Sequence, residues 1–228
     1  MTLEVTVALL VGGAVGSGAH VLLATPAASG APVEVAGAAV SRGGSESVVA
    51  LHASGCGVTR QGSGVLVRAG DGSVQLLTNA HVVAGATTVR AVLADSTEVD
   101  LAVLGALHGR DAARIDPTGL LAAGAQPIGV GEPADPGDPV EVIGYPAGEF
   151  SAASAAVQDA QIRAGYGSAV EVLIVGSQAR GGHSGGAVMD SRGLLVGLVA
   201  ARDPGTGRVV AYRIGDLLAQ AVDAPPGC

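Results

Sequence analysis

From Ser45 onward the chain is a succession of short apolar runs, mostly β-branched, each cut off by Gly, Pro or Asp. The clearest are SVVAL (47–51), GVLV (64–67), VQLL (74–77), TVRAVL (88–93), EVDLAVL (98–104), VEVIG (140–144), VEVLIV (170–175), LLVGLVA (194–200) and VVAYRI (209–214). Such runs are too short for helices and rich in residues that fit a pleated surface. Many of them in series, with turn signals between, indicate an all-β barrel or sandwich. The side chains available to fill it are small, since aromatics make up 2% and Gly accounts for 37 of 228 residues. Only the stretch near IGDLLAQAV (214–222) reads as a helix. The Gly has no three-residue period, which excludes collagen. A mean hydropathy of +0.48 with 14% charged residues excludes an intrinsically disordered chain.

The net charge is −8, all twelve basic residues are Arg, and no basic run exists, so no nucleic-acid partner is expected. The two cysteines, Cys56 and Cys228, sit in no metal-binding or CxxC spacing, and no metal and no cofactor is expected. Val5 to Ala24 (VTVALLVGGAVGSGAHVLLA) carries no formal charge with His20 neutral, and as a helix it would span about 30 Å. The basic start of a secretory signal is missing, because the only early charge is Glu4. The expected organisation is a membrane anchor or signal segment over 1–24, a Pro/Ala/Ser/Gly linker over 25–44, and one domain over 45–228. A single anchor with the domain outside the cytoplasm is preferred; secretion after signal cleavage is the alternative.

Three segments carry chemistry. LLTNAHVV (76–83) puts His81 directly after an apolar strand, where a side chain can face a cleft. RGGHSGGAVM (180–189) sets Ser184 between glycines, a backbone suited to close approach and exposed N–H donors. GDPVEVIGYPAGEF (137–150) is a turn, a strand and a Gly/Pro turn. Together, TNAHVV, GDPVEVIGYP and GHSGGAVMDSRGLLVGL resemble the trypsin-like serine peptidases of bacteria, the branch that includes the HtrA-type proteases. The resemblance covers about residues 46–222.

That resemblance implies two six-stranded antiparallel β-barrels, chymotrypsin-like, over about 46–125 and 126–222, with a C-terminal helix; the uncharged segment 5–24 adds one N-terminal apolar helix ahead of them. It implies a serine endopeptidase acting on proteins or peptides, with Ser184 as nucleophile and His81 as general base. Ungapped alignment from TNAHVV assigns the carboxylate to Asp111, thirty residues after the His and seventy-three before the Ser. Asp100, in DLAVL but only nineteen residues after His81, stays open, as do Asp116 and Asp95. The N–H groups of Gly182 and Ser184 would form the oxyanion hole. His183 stands where relatives carry Asp or Asn, which argues against activation through a newly cut N-terminus. A pH-responsive group and a solvent-edge spacer are both open readings for it.

Gln178, six residues before Ser184, would form the base of the primary specificity pocket, with Ala200, Ala201 and Arg202 from the facing strand. Without an acidic base, cleavage after Lys or Arg is not expected; small walls indicate a neutral P1 residue. A narrower resemblance, carried by GCGVTRQGSG (55–64), VIGYPAG (142–148) and the final Cys, is to the membrane-anchored periplasmic serine proteases of actinobacteria linked to acid resistance. It and the expected compartment imply a Cys56–Cys228 disulfide. The competing reading from another class is a pseudoprotease that binds peptides without turnover.

Overall fold

The computed structural model describes residues 42–107, 109–165 and 168–224. The apolar segment 5–24, linker residues 25–41, His20, His108 and Cys228 lie outside them. A short helix, α1 (Arg42–Ser47), begins within the last three residues of the expected linker. Gly44 is buried there, and a methyl on it would stand 2.6 Å from Ile143 Cδ1.

The first half holds β1 (Val48–Gly55), β2 (Val58–Arg68), β3 (Val74–Thr78), β4 (Thr88–Val92), β5 (Glu98–Leu101), β6 (Val103–Leu107), β7 (Ala113–Ile115) and β8 (Ile128–Gly129). The second holds β9 (Pro139–Gly144), β10 (Ser151–Gly165), β11 (Ser168–Gln178), β12 (Ala187–Asp190), β13 (Leu195–Arg202) and β14 (Arg208–Arg213). A last strand, β15 (Val222–Asp223), returns to the first half and pairs with β6. Three more short α-helices, α2 (Ala80–Val83), α3 (Thr118–Ala122) and α4 (Ile214–Leu218), and a 3-10 turn at Pro146–Gly148 complete the described elements.

The second half is a closed six-stranded barrel in the order β10-β11-β14-β13-β12-β9. The first is not the closed six-stranded barrel expected; it is a curled half-barrel, a nine-stranded sheet running β15-β6-β7-β3-β2-β1-β4-β5 with β8 on β2. Its ladder is open because the chain changes partners at Ala102. β5 pairs with β4, β6 pairs with β7, and the Ala102 carbonyl accepts a bond from Asp116 N–H instead. The expected C-terminal helix is also shorter, ending at Leu218, because β15 is drawn onto the free edge of β6. That approach is so close that a methyl on Gly105 would meet Asp223 O at 1.9 Å.

The apolar runs lack strict alternation because many strands are covered on both faces. Val49 and Leu51 of β1 and Leu66 of β2 fill the interior of the first half. Their neighbours Val48, Ala50, Val65 and Val67 face the other way, into a core shared with Ile143, Leu195 and Leu198 of the second half. Val142, Leu173, Val188 and Val209 fill the closed barrel. Turns follow from local chemistry. At the β1–β2 hairpin, Cys56 and Gly57 both take positive φ (48° and 74°), the two-residue turn that matches strand twist. The turn over Asp190–Gly193 forms as the sequence indicates, with Asp190 Oδ1 accepting from Arg192 and Leu194 N–H.

Ser63, wholly buried on β2, ties the halves together. Its N–H donates to Ser184 O (2.8 Å) and its hydroxyl to Gly182 O (2.7 Å). The same hydroxyl accepts from Tyr145 N–H (2.9 Å), and the Ser63 carbonyl accepts from Thr78 Oγ1 (2.7 Å). Ser63→Ala leaves Tyr145 N–H and Gly182 O without this partner, an expected loss of about 1–3 kcal/mol. Leu66→Ala, which opens a cavity inside the first half, is expected to cost about 2–5 kcal/mol. Urea-unfolding midpoints measure both, and a Ser63→Ala midpoint equal to wild type contradicts the tie.

Candidate active site

His81 sits in α2, the single turn that follows β3, and its side chain is 48% exposed. Asp111 lies in the loop between β6 and β7, with its side chain 7% exposed. Its two oxygens grip His81 at two points: Oδ1 accepts from the backbone N–H (2.9 Å) and Oδ2 meets ring Nδ1 at 2.6 Å. An ionised carboxylate only accepts, so Nδ1 carries the proton and Nε2 keeps its lone pair. Two further bonds fix the Asp111 backbone. Asn79 Nδ2 donates to its carbonyl (2.7 Å), and its N–H donates to Tyr212 Oη of β14 (3.2 Å).

The other acidic candidates are engaged elsewhere. Asp100 is exposed on β5 and accepts from Arg90 Nε across the ladder (2.8 Å). Asp95 and Asp116 are turn residues, whose Oδ1 atoms accept from Thr97 N–H and Thr118 N–H.

Ser184 lies in the loop joining β11 to β12. Backbone bonds stitch this loop tightly: His183 N–H to Arg180 O, Gly185 N–H to Val199 O, and Gly186 N–H to His183 O. The N–H groups of Gly182 and Ser184 have no partner among the described residues. They are the two assigned to the oxyanion hole from the sequence. Glycine is required on both sides of Ser184. Gly182 has φ +95° and a methyl there would stand 2.5 Å from Tyr145 O; at Gly185, φ +80°, it would stand 2.2 Å from Ser63 O. No hydrogen bond joins Ser184 Oγ to His81 among the described residues. In ligand-free sites this contact is commonly long and tightens with substrate.

His183 is not the solvent-edge spacer considered above: it is 3% exposed. Its Nδ1 accepts from Arg180 N–H (3.1 Å). Burial first, and the nearby Arg180 charge second, push its pKa below the usual histidine value, which favours the neutral ring. A cleft of about 540 Å³ beside Ser184 is lined by Gln178, Arg180, His183, Ala201 and Arg202 among others. Ala200, expected in this pocket, is instead buried in the core between the halves. Val199 and Ala201 line the cleft in its place, and the strand register shifts between them. Among the described residues, no cluster of His, Cys, Asp or Glu could hold a metal ion.

Sequence reasoning missed three positioning residues. Ser63 and Asn79 stand inside the motifs GSG and TNAH, yet nothing local shows that their side chains reach Gly182 and Asp111. Tyr212 carries no signal at all, because it meets Asp111 from a hundred residues away.

The trypsin-like peptidase domain model matches residues 62–198. No curated protein matches the sequence significantly. Among solved structures, Rv3671c protease from M. tuberculosis in its active form superposes with a TM-score of 0.68 at 24% identity, covering 81% of this chain and 86% of that one. The inactive form of Rv3671c gives 0.65 at 26% identity, covering 78% and 88%. The HtrA-type protease AlgW with a tripeptide gives 0.67 at 23%, covering 76% of this chain and 58% of that one. These likenesses establish the fold. The family match spans more than half of the chain, which therefore belongs to the trypsin-like peptidases and is a serine-type peptidase.

Proposed function

We propose that the protein is an extracytoplasmic serine endopeptidase working through His81, Asp111 and Ser184. The observation that carries this reading is the two-point grip of Asp111 on His81. Ser184 Oγ attacks the peptide carbonyl while His81 Nε2 takes its proton. The imidazolium so formed is stabilised by the Asp111 carboxylate, which keeps its own charge. The tetrahedral oxyanion takes the N–H groups of Gly182 and Ser184, neither of which has a partner among the described residues. His81 then returns the proton to the leaving amine, and water, activated the same way, releases the acyl group from Ser184.

A peptide is the natural ligand for this geometry. β12 pairs with β13 only as far as Leu198, so the backbone edge from Ala200 to Arg202 is open to an extended chain. AlgW, a structural neighbour, has been solved with a tripeptide and with a decapeptide. The neutral P1 residue expected from the sequence rests on the small walls Ala179, Val199 and Ala201. With Gln178 in place of a carboxylate, a P1 Lys or Arg meets no counter-ion.

Membrane attachment through 5–24 and an extracytoplasmic domain are supported by the uncharged length of that segment. Among the described residues, no helix is long and apolar enough to cross a membrane. The Cys56–Cys228 disulfide belongs to the same proposal. It would close a loop worth about 5 kcal/mol on the chain-entropy account.

Ser184→Ala and His81→Ala are each expected to lower kcat by about 10⁶-fold, and the double variant by little more, because the groups act as one unit. Asp111→Asn should cost about 10⁴-fold by permitting the wrong His81 tautomer. Labelling with a fluorophosphonate probe, wild type beside Ser184→Ala, tests the nucleophile directly. Turnover that survives Asp111→Asn but not Asp100→Asn overturns the carboxylate assignment. For the disulfide, intact mass after thiol blocking should show no alkylated cysteine until reductant is added. Two alkylated cysteines in unreduced protein secreted to an oxidising compartment remove it.

A further inference from the structure

The cleft beside Ser184 has a charge at odds with the rest of the molecule. The chain carries a net charge of −8, yet no Asp or Glu lines this cleft and two arginines do, Arg180 and Arg202. Elsewhere Arg90, Arg163, Arg192 and Arg213 are held in ion pairs with carboxylates. Arg202 has neither an ion pair nor a side-chain hydrogen bond among the described residues. Its chain neighbour Asp203 does not neutralise it. Asp203 Oδ2 is paired with Arg163, and Oδ1 accepts from Gly205 N–H, Thr206 N–H and the Thr206 hydroxyl. Among the described residues the Arg180 guanidinium reaches only Ser151 Oγ, at 3.5 Å.

Arg202 is an exposed residue at the cleft, and its head lies over Gly207. A methyl on Gly207 would stand 3.2 Å from Arg202 Nη2 and 2.8 Å from Gln178 Oε1. The guanidinium and the Gln178 amide therefore converge on one buried glycine. Gly207 leaves room for them, having no side chain and φ +74°. Around these polar heads the walls are Ala179, Val199 and Ala201, which suit the methylenes of a side chain with a polar end. Burial, with the Arg180 charge second, lowers the His183 pKa and favours its uncharged ring, so the positive charge of the cleft rests on the two arginines.

We propose that this cleft is an anion-selecting P1 pocket, in which Arg202, beside Gln178 and flanked by Arg180, receives the side-chain carboxylate of a Glu or Asp on the acyl side of the cleaved bond. This rests on the peptidase reading and replaces its neutral P1 residue with an acidic one. The small walls still hold the stem; the head they lead to is a carboxylate. A guanidinium presents paired N–H donors to a carboxylate, a geometry that a neutral amide cannot match. A P1 Lys or Arg is repelled by the same charges.

The test is a set of fluorogenic peptides identical except at P1, carrying Glu, Gln, Ala or Arg, with fluorophosphonate labelling of Ser184 run on the same preparation. P1-Glu should exceed P1-Gln in kcat/KM by about 10- to 100-fold at low ionic strength. The ratio should shrink with added salt. Arg202→Gln should bring the Glu/Gln ratio to about one, Arg202→Lys should retain part of it, and Arg202→Glu should shift preference toward P1-Arg. Because the readout is a ratio within each variant, a general loss of activity does not imitate the effect. Equal rates for Glu and Gln in the wild type, or a Glu preference untouched by Arg202→Gln, overturn the pocket assignment. So does labelling of Ser184 with no cleavage of P1-Glu, which leaves the peptidase reading standing. Failure of both labelling and cleavage defeats the peptidase reading itself.

Discussion

The bonds centred on Ser63 set the register between the two halves of the molecule, and the site exists only in that register. His81 and Asp111 are carried by the first half, Ser184 and the loop proposed to form the oxyanion hole by the second. A slip of an ångström between them would leave each half intact and separate the reacting groups. Ser63 prevents it with three bonds that cross the divide, two of them ending on the loop that holds Ser184. Tyr212 adds a crossing in the opposite sense, its hydroxyl on the Asp111 backbone. Both are neutral contacts with fixed geometry, better suited to positioning than a mobile surface ion pair.

The same economy shows in the oxyanion loop. Relatives that require a cut N-terminus hold this region with an ion pair formed after cleavage. Here His183 accepts an amide bond from Arg180 within the same turn, and Ser63 holds the Gly182 carbonyl. The two bonds bracket the peptide unit whose N–H must face the substrate, and neither depends on a new chain end. The glycines of GHSGG are what allow the backbone to come this close, since side chains at Gly182 and Gly185 would collide with Tyr145 and Ser63 carbonyls.

Much of this was legible from residue order. The short β-branched runs correspond to strands, and TNAHVV and GHSGG place His81 and Ser184 on the two halves. What escaped was set by long-range pairing. β10 (Ser151–Gly165) is mostly Ala, Ser, Gln and Asp, with Val157 and Ile162 its only β-branched residues, and becomes a strand because β9 and β11 lie on either side of it. The partner change at Ala102, which leaves the first half open, has no marker, since EVDLAVL reads as one strand. Helical periodicity near 214–222 was overruled by a free strand edge on β6. Ala200 and His183 escaped for a related reason: packing between the halves buries the first, and a tightly bonded turn buries the second.

The crossing of Tyr212 and of β15 back to the first half also fixes when the enzyme can become active. During synthesis the first half emerges with His81 and Asp111 but without Ser184, without the hydroxyl that braces Asp111, and with the β6 edge unfilled. On the proposed triad, a nascent chain at that stage has no nucleophile to turn on itself or on its neighbours. The second half, made after the first, supplies both Ser184 and the brace on Asp111, so on the proposed triad proteolytic competence waits for that half to fold.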